Sequence, residues 1–327
     1  MEKRPRRIAV PPDEDDPDRL PPRRGGSLAL PLAVVVGLAV GAVAIGLLVN
    51  AARSGDDGAT DVLAVDSTPV QALEEPVEPL RVVFPEGFTW REMAVRVDEV
   101  RQIAIDERQV TPVLDEEEFR VLSKNEALIP QEFLDEDEKP KHVEGFLFPA
   151  TYDFTETTTT ADLIKQQIEQ FELTWAELDL SFAEKRGLTP YDVLKIASMV
   201  EEEVKEPKER KQVARVIYNR LQQGMPLGID STLRYGLRIP ADKAILQSQL
   251  DSDNPFNTRK RTGLPPTPIS NPGQASMQAA AKPANNEFLF YARKKDCTTH
   301  FFSKTQEEHD EFIAGPNSFL NGPARCG

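Results

Sequence analysis

Three consecutive glutamates, Glu201, Glu202 and Glu203, follow the largely apolar run from Val193 to Val200. A helix turns about 100° per residue, so neighbours in sequence face different directions. With Ala197 as origin, Val193, Val200 and Val204 fall at roughly −40°, −60° and −20°, and Leu194 at roughly 60°. Glu201 falls at roughly 40°, inside that apolar arc, while Glu202 and Glu203 fall at roughly 140° and 240° on the outer face. The spacing predicts two solvated carboxylates and one aimed at the core or a cleft. Burial disfavours the charged form, so a carboxyl placed there keeps its proton near neutral pH. Beside a leaving oxygen, such a carboxyl is the general acid of glycoside chemistry. The same spacing also allows a blander reading, in which Glu201 turns out to water or pairs with Arg215 or Arg220.

The elements that must position these residues carry clear start and stop signals. Thr189 reads as an N-cap, Pro190 as the first helical residue and Asp192 as an acid in the first turn. That helix is expected to reach about Glu206, where Pro207 interrupts. A further helix is expected over about 208–223, closed by Gly224. Upstream, a helix starting near Thr160 presents Leu163, Ile164, Ile168 and Phe171 on one face. Downstream, 274–281 reads as a short helix, 287–293 and 300–303 as strands, and Thr305 with Glu308 as a capping box opening the last helix. Nearer the N-terminus, residues 81–84 read as a strand, Pro85-Glu86-Gly87 as a turn, Thr89 as a helix cap, and 116–125 as a helix. The mixture predicts an α+β fold.

The first 26 residues are rich in Arg, Asp and Pro and read as a disordered tail. No charged residue lies between Arg24 and Arg53, and residues 27–49 form an apolar stretch. About 20 such residues span the ~30 Å hydrocarbon layer as a helix. Arg23 and Arg24 on its N-terminal side put the tail in the cytoplasm and the rest outside. The competing reading, a signal peptide cleaved near Val49-Asn50-Ala51, fits less well, because the run is long and a tail precedes it. Residues 50–79 read as an acidic linker, 80–140 as a small folded unit and 141–327 as the larger one.

The formal net charge of −15 argues against a nucleic-acid binder. The two cysteines, Cys297 and Cys326, lie near the C-terminus and suit a disulfide in an oxidising compartment. His142, His300 and His309 lack metal-ligand spacing, so no metal site is expected.

Several ordered motifs bear a resemblance. Glu144-Gly145-Phe146-Leu147-Phe148-Pro149 with Thr151-Tyr152 comes first, then Ala197-Ser198-Met199-Val200-Glu201-Glu202-Glu203. Val216-Ile217-Tyr218-Asn219-Arg220-Leu221 and Asp230-Ser231-Thr232 with Tyr235-Gly236 follow, then Pro255-Phe256-Asn257-Thr258. Pro268-Ile269-Ser270-Asn271-Pro272-Gly273 and His300-Phe301-Phe302-Ser303 complete the series. Together they resemble the YceG-like, MltG-type endolytic murein transglycosylases over most of residues 80–320. Ala150, Asp253-Asn254 and Gly228 depart from the family pattern.

The resemblance implies Glu201 as the catalytic acid/base and a LysM-like glycan-binding subdomain at 80–140. It implies a membrane-anchored enzyme that cuts peptidoglycan glycan strands beside the peptidoglycan synthases (penicillin-binding proteins), with no cofactor. Glu144, Tyr152, Asn219, Asp230, Thr232, Tyr235, Asn257, Asn271 and His300 are its candidate substrate-binding residues. Each is also explicable as a cap or turn residue. Two alternatives remain open at this point: a hydrolase in which Asp230 or Glu144 acts on water, and a non-catalytic peptidoglycan-binding scaffold.

Overall fold

The structure is a computed structural model that describes residues 79–134 and 140–321, all within the unit Glu78–Gly327. The expected tail, membrane segment and linker lie outside the described residues. Among those described, no helix is long and apolar enough to cross a membrane.

Strand β1 (Leu80–Val83) leads through the Pro85-Glu86-Gly87 turn into helix α1 (Trp90–Arg108), and helix α2 (Glu116–Ser123) follows. The chain returns as strand β2 (Thr151–Phe154), antiparallel to β1, with Leu80 opposite Phe154 and Val83 opposite Thr151. This pairing ties residues on both sides of the expected 140/141 division into one layer. Five helices come next: α3 (Thr160–Trp175), α4 (Ser181–Glu184), α5 (Pro190–Glu203), α6 (Arg210–Gln222) and α7 (Asp230–Leu237). Then come α8 (Gln247–Leu250) and α9 (Gln274–Ala281). An antiparallel pair, β3 (Phe290–Arg293) and β4 (His300–Ser303), precedes α10 (Gln306–Ala314). The fold is mixed α+β, as expected.

Threonines start the helices that matter. Thr89, Thr159, Thr189 and Thr305 each accept from the N–H three residues on, and Glu92, Asp162, Asp192 and Glu308 reach back to the threonine N–H. Each box satisfies two groups that a helix start leaves orphaned. Thr189→Ala should therefore cost about 1 kcal/mol. Urea unfolding checks this: the midpoint should fall with the slope unchanged, and Thr189→Ser should recover most of the loss.

α5 is the central helix. Tyr191 and every residue from Val193 to Val200 are buried, with α9 and α6 packed against it. The small side chains Ala279 and Ala280 let α9 approach closely. Even Lys195 is only 2% exposed; its ammonium lies 3.5 Å from Asp192 and 4.5 Å from the Tyr191 ring centroid. An aromatic cluster of Phe133, Phe146, Phe171 and Trp175 closes one side, with ring centroids 4.9 to 5.6 Å apart. Burying each such ring contributes roughly 1.5–3 kcal/mol.

Three sequence expectations need correction. α5 ends at Glu203, not near Glu206: Val204 is already extended at φ −111°, ψ 114°, and Pro207 disfavours helix at the residue before it. α7 was not foreseen, because Gly236 interrupts its helical signal. Strand β3 starts at Phe290 rather than 287. The carbonyls just before it accept from α6 instead, Asn286 from Arg215 Nε at 3.1 Å and Phe288 from Asn219 Nδ2 at 2.8 Å. Cys297 is disulfide-bonded, while Cys326, the other cysteine in the sequence, lies outside the described residues.

Candidate active site

Three carboxylates at the C-terminal end of a helix oppose its dipole, which favours cations there. The structure gives each a separate set of partners. The Glu201 side chain is 7% exposed, and its Oε1 lies 3.6 Å from Arg210 Nη2. Its Oε2 accepts from the Gly273 N–H at 3.0 Å. Glu202 is exposed as a residue, yet its carboxylate lies against Gly87 and Ser270. Desolvation there, then the charges of Glu92, Glu201 and Glu203, raises its pKa. Glu203 accepts from Ser231 Oγ at 2.9 Å and from Tyr291 Oη at 3.3 Å. The expected solvated outer face therefore fails for Glu203, since α5 ends there and the following elements wrap around its end. The ion-pair partner of Glu201 is Arg210, the first residue of α6. Arg215 and Arg220 donate to backbone carbonyls instead.

A fourth carboxylate, unforeseen, joins the group. Glu86 Oε2, from the turn after β1, lies 3.9 Å from the same Arg210 nitrogen. Burial, then the Glu201 charge, raises the Glu86 pKa against the opposing pull of Arg210. Gly273 sits between the two acids. A Cβ on it would run into the Glu86 carboxylate, so only glycine brings this N–H to Glu201 without displacing Glu86.

Asn271 holds the loop that delivers Gly273. Its Oδ1 accepts from the N–H groups of Gly145 (2.8 Å) and Leu147 (3.0 Å). Its Nδ2 donates to the Phe88 carbonyl and to Glu144 Oε1, both at 2.9 Å. Backbone bonds run both ways, Asn271 N–H to Phe88 O and Gly87 N–H to Asn271 O, each 3.0 Å. One buried amide thus ties the Glu86 turn, the Glu144 segment and the Gly273 loop together. Glu144 also accepts from the Trp90 N–H at 2.9 Å, at the start of α1, and faces the Tyr235 hydroxyl.

The structure brings together Glu144, Tyr235 and Asn271 in that pin, next to the Glu201 site. Glu144, Thr232, Asn257 and Asn271 are completely buried, so a sugar reaches none of them without moving protein. Thr232 Oγ1 donates to Ile229 O at 2.7 Å, and Asn257 Nδ2 donates to Leu250 O and Ser252 O at 2.9 and 2.8 Å. Asn219 ties α6 to the 286–288 segment. Tyr152 lies on β2 and donates to Phe148 O at 2.8 Å. Asp230 pairs with Arg259 at 2.6 Å on the surface. His300 is buried beside Glu209, 2.7 Å from its ring nitrogen, and edge-on to Tyr291. His142 lies beside Trp90 and His309 beside Phe290, each in its own surroundings. Glu86, Arg210, Glu203, Ser231, Tyr291 and Gly273 were missed by sequence reasoning. Of these, the Pro-Glu-Gly turn was visible only as a turn.

A shielded carboxyl with a backbone N–H and a guanidinium, ringed by further carboxylates and hydroxyls, is an arrangement that can do acid/base work on a polar substrate. The sequence matches the YceG-like family over residues 65–314, and the chain belongs to that family. It is 34% identical over 236 residues to the endolytic murein transglycosylase of Bacillus subtilis, covering 71% of this chain and 63% of that one. It is 28% identical over 263 residues to the endolytic murein transglycosylase of Streptococcus pneumoniae, covering 76% and 47%. A crystal structure of a YceG-like protein from Listeria monocytogenes shares 29% identity and a TM-score of 0.56, covering 72% of this chain and 76% of that chain. The chain thus matches 47% to 63% of the length of these curated relatives.

Proposed function

We propose that this chain is an endolytic lytic transglycosylase of peptidoglycan, with Glu201 as its one acid/base. The observation that carries this is the position of Glu201: it is shielded, held by Gly273 N–H, and faces Arg210 at the end of the central helix. The substrate class rests on the relatives' names and on the shared family.

Protonated Glu201 gives its proton to the oxygen linking N-acetylmuramic acid C1 to N-acetylglucosamine C4, and the C1–O bond breaks. The muramic acid C6 hydroxyl then attacks C1, and the Glu201 carboxylate takes its proton. A 1,6-anhydro end forms, the proton is back on Glu201, and the cycle closes without water or a cofactor. A second carboxylate acting on water is not required, unlike in ordinary glycoside hydrolysis. Asp230, paired with Arg259, and Glu144, fully buried, are both poorly placed to act on water.

The remaining parts of the reading concern placement. Residues 27–49 anchor the chain as a single pass with the N-terminus cytoplasmic, supported by the uncharged run and its flanking arginines. The catalytic unit then stands outside the membrane, where nascent strands leave the synthases. Residues 80–140 act as a LysM-like glycan-holding part, supported by the packing of β1, α1 and α2 against one another, although their layer is completed by β2 from beyond that range.

Mass spectrometry of isolated glycan strands after incubation tests the reaction. Wild type should release fragments with 1,6-anhydro ends, and Glu201→Gln should release none. Reducing ends would mark a hydrolase instead, and no release by wild type would leave a binding scaffold.

A further inference from the structure

Arg210 is shared. Its Nη2 lies 3.6 Å from Glu201 Oε1 and 3.9 Å from Glu86 Oε2, and its side chain is mostly buried. Glu86 is not placed there by its own turn alone. The Gly87 N–H donates to Asn271 O, so the loop that presents Gly273 N–H to Glu201 also fixes the turn that presents Glu86 to Arg210. One clasp therefore sets the position of both acids.

A single guanidinium balances one negative charge. When two carboxylates face it, each disfavours ionisation of the other. Further carboxylates nearby add to that repulsion. Glu202 from α5 lies over Gly87, Glu92 from the first turn of α1 faces Glu202, and Glu203 lies on the side of Ser231 and Tyr291. The loop before α9 offers only neutral groups, Ser270, Asn271 and the Gly273 N–H. The raised pKa of Glu86, caused by burial and by the Glu201 charge, agrees with two acids competing for one cation.

The reaction needs Glu201 in two charge states. It must hold a proton before the glycosidic bond breaks and be a carboxylate afterwards. We propose that Glu86 is a positioning residue of this active site: its carboxylate holds Arg210 while Glu201 is protonated, and releases Arg210 toward Glu201 once the proton has left. This rests on the transglycosylase reading above. Without the Glu86 charge, Arg210 acts on Glu201 alone and favours its ionised form. The protonated enzyme then persists only to lower pH.

The test is the pH dependence of kcat for glycan release by the full chain, in wild type, Glu86→Gln, Glu86→Asp and the double variant Glu86→Gln/Arg210→Gln. Activity requires the protonated acid, so it is lost on the alkaline side. Glu86→Gln should move that alkaline limb down by about one pH unit, lowering kcat at neutral pH about tenfold with KM within about twofold. Glu86→Asp should move it less, and removing Arg210 as well should move it back toward wild type. A purely structural Glu86 predicts a lower kcat or melting temperature with the limb unmoved, and that result overturns the proposal. If Glu86→Gln does not fold, Glu86→Asp decides the question: a smaller downward shift of the limb supports the proposal, and an unmoved limb overturns it. Reducing ends from wild type would overturn the underlying reading and the proposal with it. Anhydro ends from wild type together with an unmoved limb in Glu86→Gln overturn the proposal alone.

Discussion

Glu201→Gln should lower kcat for glycan release by about 10³-fold or more while the protein stays folded. Loss of one general acid or base typically costs about 10²–10⁴-fold. In the proposed mechanism one side chain serves both halves of the reaction, so no second group remains to cover either step. Glutamine has the same shape, and its amide oxygen can still accept from Gly273 N–H, so the local backbone need not move. Glutamine also matches the neutral, protonated acid that the first step requires, so the melting temperature should stay close to that of wild type. Thermal unfolding alongside the kinetics checks both halves: a variant that folds and still cuts would move the acid elsewhere, and one that unfolds would leave the activity loss uninformative until Glu201→Asp is measured.

The sequence picked out Glu201 by a partly mistaken route. The helical wheel divides α5 into a core face and a solvent face. Lys195 lies at roughly 160° on that wheel, squarely on the outer face, yet it is only 2% exposed. α5 is buried all round, and what separates its glutamates from its valines is the end of the helix, not its side. Glu201 was singled out by its angle inside the apolar arc and by the family motif, and the structure shows that the helix end, rather than the arc, shields it. The capping boxes were legible for a different reason: Thr189 and Asp192 act within one turn, so local spacing contains the whole interaction. The site's other half was not legible, because nothing local marks it. Glu86 belongs to a turn that any Pro-Glu-Gly would make, and Arg210 follows a break after α5. Only the fold brings them to Glu201. Asn271 was open between a sugar ligand and a turn residue, and its oxygen and nitrogen are fully used in holding three chain segments together.

Glu144→Gln should stabilise the protein at alkaline pH and abolish part of its pH dependence. Glu144 is fully buried, and desolvation, partly offset by Arg91 and the Trp90 N–H, pushes its pKa up to about 8. In the unfolded chain it titrates near the ordinary glutamate value of about 4.3. Between these two values the folded protein holds a proton that the unfolded chain has released. Stability from this residue is therefore fully present below about pH 4.3 and falls as pH rises toward about 8, by about 1.4 kcal/mol per unit at most. Above that range it levels off. Glutamine stays neutral throughout, and its oxygen can still accept from Trp90 N–H and Asn271 Nδ2, the two bonds that Glu144 Oε1 makes now. The variant and wild type should thus have similar stability near pH 4.5 and diverge by a few kcal/mol by pH 8, with the variant the more stable. Glu144→Ala is the control in the opposite direction. It leaves the Trp90 N–H and the Asn271 amide buried without their acceptor, at roughly 1–3 kcal/mol each, and should be less stable at every pH. Denaturant unfolding from pH 4.5 to 8.5 distinguishes these outcomes. Parallel curves for wild type and Glu144→Gln would mean that the buried carboxyl is ionised in the fold, with Arg91 balancing it.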